Sequence, residues 1–290
     1  MSTPLHLALA VDTPSTAADI DALERTVTAA ERAGVAFVTI ADSPGAPRVE
    51  AGVLASFLAR RTTRIGLAPT LHVSTTEPFH LATQLASLDH ATLGRAAWVV
   101  GATRDAAALA TVGRGPLGPE ELRRETADVI DVARRLWDSW EDDAVIRDVA
   151  TGRFLDRDRV HHVDFEGAGF SVAGPLITPR PPQGQVVVVG SDTLGVTGRL
   201  DIALVGGEDV EEIRRRAARA RQHGARLAFA DLAGPADLAR LAGVVDGVRL
   251  RIDDLDAGLP PVELAPIGPT LRETLGLPRP ANRYAIARTA

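Results

Sequence analysis

A (β/α)8 TIM barrel, eight parallel strands closed into a cylinder and jacketed by helices, is the fold this sequence predicts. Three observations predict it. Short apolar runs alternate with amphipathic stretches almost from the first residue. The runs are continuously apolar rather than polar at every second position, the mark of parallel strands buried on both faces. A length of 290 residues suits one barrel built from eight such units.

Residues 6–11 (HLALAV) read as the first strand. Residues 19–33 read as a helix, because Ile20, Leu23, Val27 and Ala30 share one face and Gly34 stands where such a helix ends. Residues 35–41 (VAFVTIA) form the second strand, 49–60 a helix and 64–68 the third strand. Residues 78–91 form a helix with Pro78 in its first turn. Residues 95–101 (RAAWVVG) form the fourth strand, and a polar Gly/Pro-rich stretch follows. Pro119 then opens a long helix over 120–140.

Residues 142–183 break the rhythm and read as an insertion between strands four and five. Within it, 160–172 look like a hairpin turning at Glu166-Gly-Ala-Gly169. The alternation resumes at 186–189 (VVVV). Residues 201–205, 226–230 and 245–252 supply the last three strands, with helices over 210–223 and 235–242 between them. The expectation is one domain over residues 1–290.

Composition excludes several chemistries. Cysteine is absent, which removes disulfides, thiolate nucleophiles and Cys-ligated metals. Lysine is absent too: all 32 basic residues are Arg, so Schiff-base chemistry and a P-loop lysine are impossible. Net charge is −6 and the longest basic run is Arg214-Arg215-Arg216, which argues against nucleic acid as a partner. No apolar stretch of about 18 residues suggests a membrane span. The first residues lack a basic and an apolar signal region, so a cytoplasmic location is expected.

Two motifs match a pattern without its context. Gly113-Arg-Gly115-Pro-Leu-Gly118 spells G-x-G-x-x-G. A pyrophosphate loop must follow a strand directly, whereas this one trails the fourth strand, and Pro116 removes an N–H donor. His161-His162 lies among carboxylates, but neighbours on a strand point to opposite faces, so the reading is a solvated hairpin and no metal site is expected. Trp137 and Trp140 read as core packing. Strand ends are stronger candidates, because a parallel barrel places its site there. The second strand ends at Asp42-Ser43 and the fifth at Gly190-Ser191-Asp192. The third runs into a hydroxyl-rich loop holding Thr70, Ser74, Thr75 and Thr76.

The run GLAPTLHVSTTEPFHLATQLASLDHATLGRAAW, starting at Gly66, resembles the bacterial luciferase-like flavin monooxygenases, and within them the nitrilotriacetate monooxygenase branch. RRLWDSWEDDAV from Arg134, VHHVDFEGAGFSVAGPL from Val160 with PRPPQG after it, and TLRETLGLPRPANRY from Thr270 are similar to that branch in the same order. The resemblance implies reduced FMN supplied by a separate flavin reductase, O2 as oxidant, and a small organic substrate. It assigns Asp42, Thr70, Ser74, Gly190 and Ser191 to the flavin, with Arg123 standing at about the position of a family Tyr. His72 and His80 are candidates for proton transfer, since imidazole titrates near neutrality.

The departures carry equal weight. The family's strand four typically reads Trp-Asn-Val-Val-Thr-Ser; here it is Trp98-Val99-Val100-Gly101-Ala102. A family His near the start of the long helix is missing, and the second Ser of the phosphate turn is Asp192, a carboxylate that repels phosphate unless Arg neutralises it. Two expectations follow. Arg123 or Arg104 replaces the lost contacts, since guanidinium suits phosphate. Alternatively, the barrel has lost flavin binding and serves as a non-catalytic partner subunit. A dimer is expected on either reading.

Overall fold

The computed structural model describes residues 4–234, 238–251 and 263–285. Eight parallel strands close into a barrel: β1 (His6–Val11), β2 (Phe37–Ile40), β3 (Gly66–His72), β4 (Ala97–Gly101), β9 (Val187–Ser191), β10 (Ile202–Val205), β11 (Leu227–Leu232) and β12 (Gly247–Arg251). β12 pairs with β1, from His6 opposite Gly247 to Ala10 opposite Arg251, and this closes the cylinder.

Helices α1 (Ala17–Arg32), α2 (Ala51–Ala59), α3 (Pro78–Thr92), α5 (Pro119–Asp138) and α6 (Val210–Gln222) cover the outside. Local chemistry fixes their starts. Thr16 and Asp19 cap α1 reciprocally. Asp209 caps α6 by accepting from the Glu212 N–H at 2.7 Å. Leu93 adopts a left-handed conformation after α3 and Gly94 follows with φ of 90°. The strand faces split the core in two. Outward residues such as Val38, Leu67 and Val188 pack under the helices. Inward residues such as Phe37, Ala68, Val99 and Val189 fill the barrel, plugged at the N-terminal end by Leu271 and Leu275 of the C-terminal segment, which contains α7 (Leu271–Thr274).

Four elements differ from expectation. The third strand runs on to His72 rather than ending at 68, because Thr70 and His72 point into the barrel mouth, where polar side chains meet solvent. A short helix, α4 (Ala106–Ala110), interrupts the expected loop and is capped by Asp105. The insertion holds two hairpins: β5 (Val145–Asp148) with β6 (Arg153–Leu155), and β7 (Phe165–Glu166) with β8 (Ser171–Val172), the second lying within the expected one. In place of a helix over 235–242 there is a 3-10 turn at Leu238–Leu241; residues 235–237 and 252 lie outside the described residues. Between β9 and β10, where no helix was expected, the chain makes two 3-10 turns, Asp192–Leu194 and Thr197–Arg199, so among the described residues this connection and the one between β11 and β12 lack an α-helix. No described helix is long and apolar enough to cross a membrane.

Candidate active site

Strand alternation decides which residues reach the mouth. Thr70 follows Ala68 on the inward row of β3 and faces Val99 of β4. It is partly exposed although it points into the cylinder, so the mouth is open to that depth. Its hydroxyl has no hydrogen-bond partner among the described residues.

Asp42 and His72 come together. His72 Nε2 lies 3.3 Å from the Asp42 C=O, and the Asp42 carboxylate accepts from the Ser43 N–H at 2.8 Å. The ring seats against Gly101: a Cβ there would stand 2.8 Å from the ring, so the glycine at the end of β4 is what lets the imidazole fit. Burial pushes the His72 pKa below its usual value, against a smaller upward pull from Asp42, so the ring is held neutral. Burial pushes the Asp42 carboxyl upward, with Glu50 adding to it. Nδ1 of His72 is buried without a partner. With Nδ1 buried and Nε2 on the Asp42 C=O, this seat leaves no unengaged, open ring nitrogen for proton transfer. His80 is exposed on the first turn of α3, and its ring has no partner among the described residues. Nothing brings it to His72.

The turn after β9 is electrically balanced. Asp192 accepts from Arg216 Nε and Nη2 at 2.9 and 2.6 Å, a bidentate pair reaching up from the middle of α6. The sequence required some Arg to neutralise this acid without naming one; the cation is Arg216, 24 residues away and in another layer. Arg216 Nη1 has no partner among the described residues and lies 3.7 Å from where a side chain on Gly206 would begin. Ser191 Oγ bonds Thr193 Oγ1 at 2.8 Å and accepts the Thr193 N–H at 3.2 Å. Gly190 faces outward, where any Cβ would press on Leu194 and Leu200. Arg123 lays its stem over Gly195, but its guanidinium pairs with Glu120 at 2.7 Å on the surface. Arg104 is exposed. Outside this turn, against α6, a groove of about 610 Å3 marks the missing helix.

Ser74 is buried and turned away from the mouth: its hydroxyl accepts the Thr103 N–H at 3.2 Å and its C=O accepts from Arg114 at 3.2 Å. One polar pair went unnoticed in the sequence. Asp231 of β11 and Arg249 of β12 sit opposite each other on the inward face and form a bidentate pair at 2.6 and 2.8 Å. The signal was present: charged residues at inward positions of otherwise apolar strands.

These residues fit a flavin mononucleotide, though unevenly. The acid at 192 is neutralised, Arg216 keeps a free NH2 at a side-chain-free rim, and the mouth is open to a free Thr70 hydroxyl. Against that, the inward face of β4 offers only Val99 and Gly101, which donate nothing from a side chain.

Comparison with known proteins adds to this geometry. Residues 2–245 match the family model of the luciferase-like monooxygenases. The chain is 37% identical over 195 residues to N-acetyl-S-(2-succino)cysteine monooxygenase of Bacillus subtilis (strain 168), covering 63% of this chain and 44% of that enzyme, so it spans under half of that relative's length. It is 33% identical over 297 residues to one of the subunits of pristinamycin IIA synthase of Streptomyces pristinaespiralis, covering 99% of each chain. The crystal structure of a long-chain alkane monooxygenase superposes with a TM-score of 0.73 at 21% identity, over 82% of this chain and 66% of that one, which is likeness of fold. The chain belongs to the luciferase-like monooxygenase family.

Proposed function

We propose that this chain is the oxygenating component of a two-component flavin-dependent monooxygenase. It receives reduced FMN from a separate flavin reductase and oxygenates a small organic substrate with O2. The observation that carries this reading is the Asp192–Arg216 pair, which removes the one charge that would repel a phosphate from the turn after β9. Bound flavin would supply the oxygen chemistry. The chain's own tasks are narrower. The Thr70 hydroxyl offers a hydrogen bond to the ring edge. The backbone at Gly190 and Ser191, with Arg216 Nη1, offers donors to the phosphate. Asp42 and His72 brace the rim between β2 and β3, and the apolar interior below Thr70 excludes water.

The test is a fluorescence-quenching and thermal-shift titration with FMN, repeated anaerobically with reduced FMN. The expected result is binding at micromolar or tighter affinity. Absence of quenching and of any melting shift at high micromolar flavin overturns the reading.

A second reading is favoured by a different observation. The relative that aligns end to end is named as one subunit of a synthase, and the inward face of β4 lacks polar side chains. On this reading the chain is a partner barrel without flavin of its own, paired with a flavin-carrying chain. Native mass spectrometry showing only monomer, alone and with candidate partner chains, counts against it.

A further inference from the structure

A second cavity lies outside the barrel axis. It has a volume of about 400 Å3 and is enclosed by the loop after β3, the segment after α4, the second turn of α5 and the tip of the β7–β8 hairpin. Of the residues that the resemblance assigns to the flavin only Ser74 lines it, with its hydroxyl held by the Thr103 N–H; Thr70, Ser191 and Arg216 do not.

Three features of its wall define what it accepts. First, Thr75 and Thr76 line it, and neither hydroxyl has a hydrogen-bond partner among the described residues. The turn that carries them closes through its backbone, both N–H groups donating to the His72 C=O at 3.3 and 3.0 Å, so the hydroxyls are not used to build the loop. Second, its charged groups are already engaged. Glu77 accepts the Phe79 and His80 N–H groups at 3.0 and 2.7 Å at the start of α3. Arg114 forms a bidentate pair with Glu125, with Nη2 to Oε2 at 2.8 Å, and Nη1 also holds the Ser74 C=O. A ligand with net charge would have to compete with these bonds and would lose hydration on entering. Third, part of the wall is apolar: Val73, Pro78, Phe170 and Val112, the last 46% exposed although it is a valine. Phe170 is held in place by stacking on Phe165, with ring centroids 5.7 Å apart.

From these features we infer that this cavity is a binding site for a neutral organic molecule carrying a hydrogen-bonding oxygen on a flat apolar body. The hydroxyls of Thr75 and Thr76 bond the oxygen, and Val112 and Phe170 cover the apolar part. The volume lies within the range of small-molecule sites. The site stands independently of whether flavin binds in the barrel mouth.

The experiment is ligand-observed fluorine NMR on the full chain with three probes of one shape: para-fluorobenzamide, para-fluorobenzoate and para-fluorobenzylamine. The neutral amide is expected to broaden at up to about 5 mM, an affinity range suited to a fragment, while the two charged probes do not. Thr75→Val/Thr76→Val keeps side-chain volume and removes both hydroxyls; it should weaken amide binding about fivefold for each hydroxyl. Val112→Glu, at an exposed position, should abolish it. FMN should not displace the amide. Equal binding of the charged probes, unchanged binding in the double variant, displacement by FMN, or no broadening of the amide would each overturn the assignment.

Discussion

Asp192→Ser separates the electrostatics of the anion turn from its shape. In the native chain the Asp192 side chain is 16% exposed and that of Arg216 30%, so the pair lies between the surface and buried limits. Removing the carboxylate leaves a guanidinium short of its bidentate partner, which should cost about 1–2 kcal/mol of stability. For a chain of this size that is a fall of roughly 2–6 °C in Tm. The same change frees Nε and Nη2 of Arg216 and removes a negative charge beside any incoming phosphate. One charge-assisted hydrogen bond contributes about 1.5–3 kcal/mol, so FMN should bind at least about tenfold more tightly.

The assay is fluorescence quenching by FMN and by riboflavin, which has the ring without the phosphate, at fixed ionic strength because salt screens the effect. FMN affinity should rise and riboflavin affinity should stay where it was. Adding Arg216→Gln to Asp192→Ser should erase the gain. If Tm falls as expected while FMN affinity does not change, or if riboflavin gains as much as FMN, Arg216 does not reach a bound phosphate and the assignment of this turn fails.

Two other outcomes follow from buried ionisable groups. Burial holds His6 and His72 below their usual pKa. As pH falls through about 6.5 the unfolded chain takes up protons that the folded chain refuses, so stability is lost on acidification by up to about 1.4 kcal/mol per pH unit for each group. The urea midpoint should be lower at pH 5.5 than at pH 7.5, and His72→Gln should shrink the difference; an unchanged difference in that variant would mean His72 titrates normally. Arg180 is buried against Asp138 with Nη2 to Oδ1 at 2.9 Å, and also donates to Asp142 and to the Pro280 C=O. Arg180→Met leaves Asp138, whose carboxyl burial already pushes upward, with Gln185 Nε2 as its side-chain donor and no cation, and should cost about 3–5 kcal/mol in urea unfolding; a loss below about 1 kcal/mol would show that water reaches the pair.

The barrel was legible because its strands are buried on both faces, and such runs stand out without any partner being known. The third strand was cut short because apolar runs stop where a strand enters a solvated mouth; Thr70 is polar for the same reason that makes it reachable. The sequence placed no helix after β9 and none is there, but the two 3-10 turns in its stead were not legible, since residues 192–201 cover the strands through Leu194, Val196 and Leu200, and short turns have no period. Asp42 beside His72 was within reach of strand-end logic. Arg216 was not: it is one of several arginines on an amphipathic helix, and only the packing of α6 against the turn selects it. Arg123 drew attention by position, yet a Glu three residues earlier on the same exposed face takes its charge.

A common pattern joins the mouth and its surroundings. Asp12 pairs with Arg251, Asp231 with Arg249, Asp192 with Arg216 and Glu125 with Arg114. Every cation in these pairs is a guanidinium, in a chain without lysine. A guanidinium engaged through two of its nitrogens keeps further N–H donors, whereas an ammonium held by a carboxylate offers no planar fork. These pairs are therefore neutral in charge and still rich in donors. That combination disfavours the capture of anions by long-range attraction and favours ligands recognised at contact. A dianionic phosphate would be held here by a few oriented donors, Arg216 Nη1 foremost, and not by a surplus of positive charge. On the proposed flavin-binding reading, changes to these pairs, Asp192–Arg216 above all, should alter FMN affinity while leaving the barrel intact.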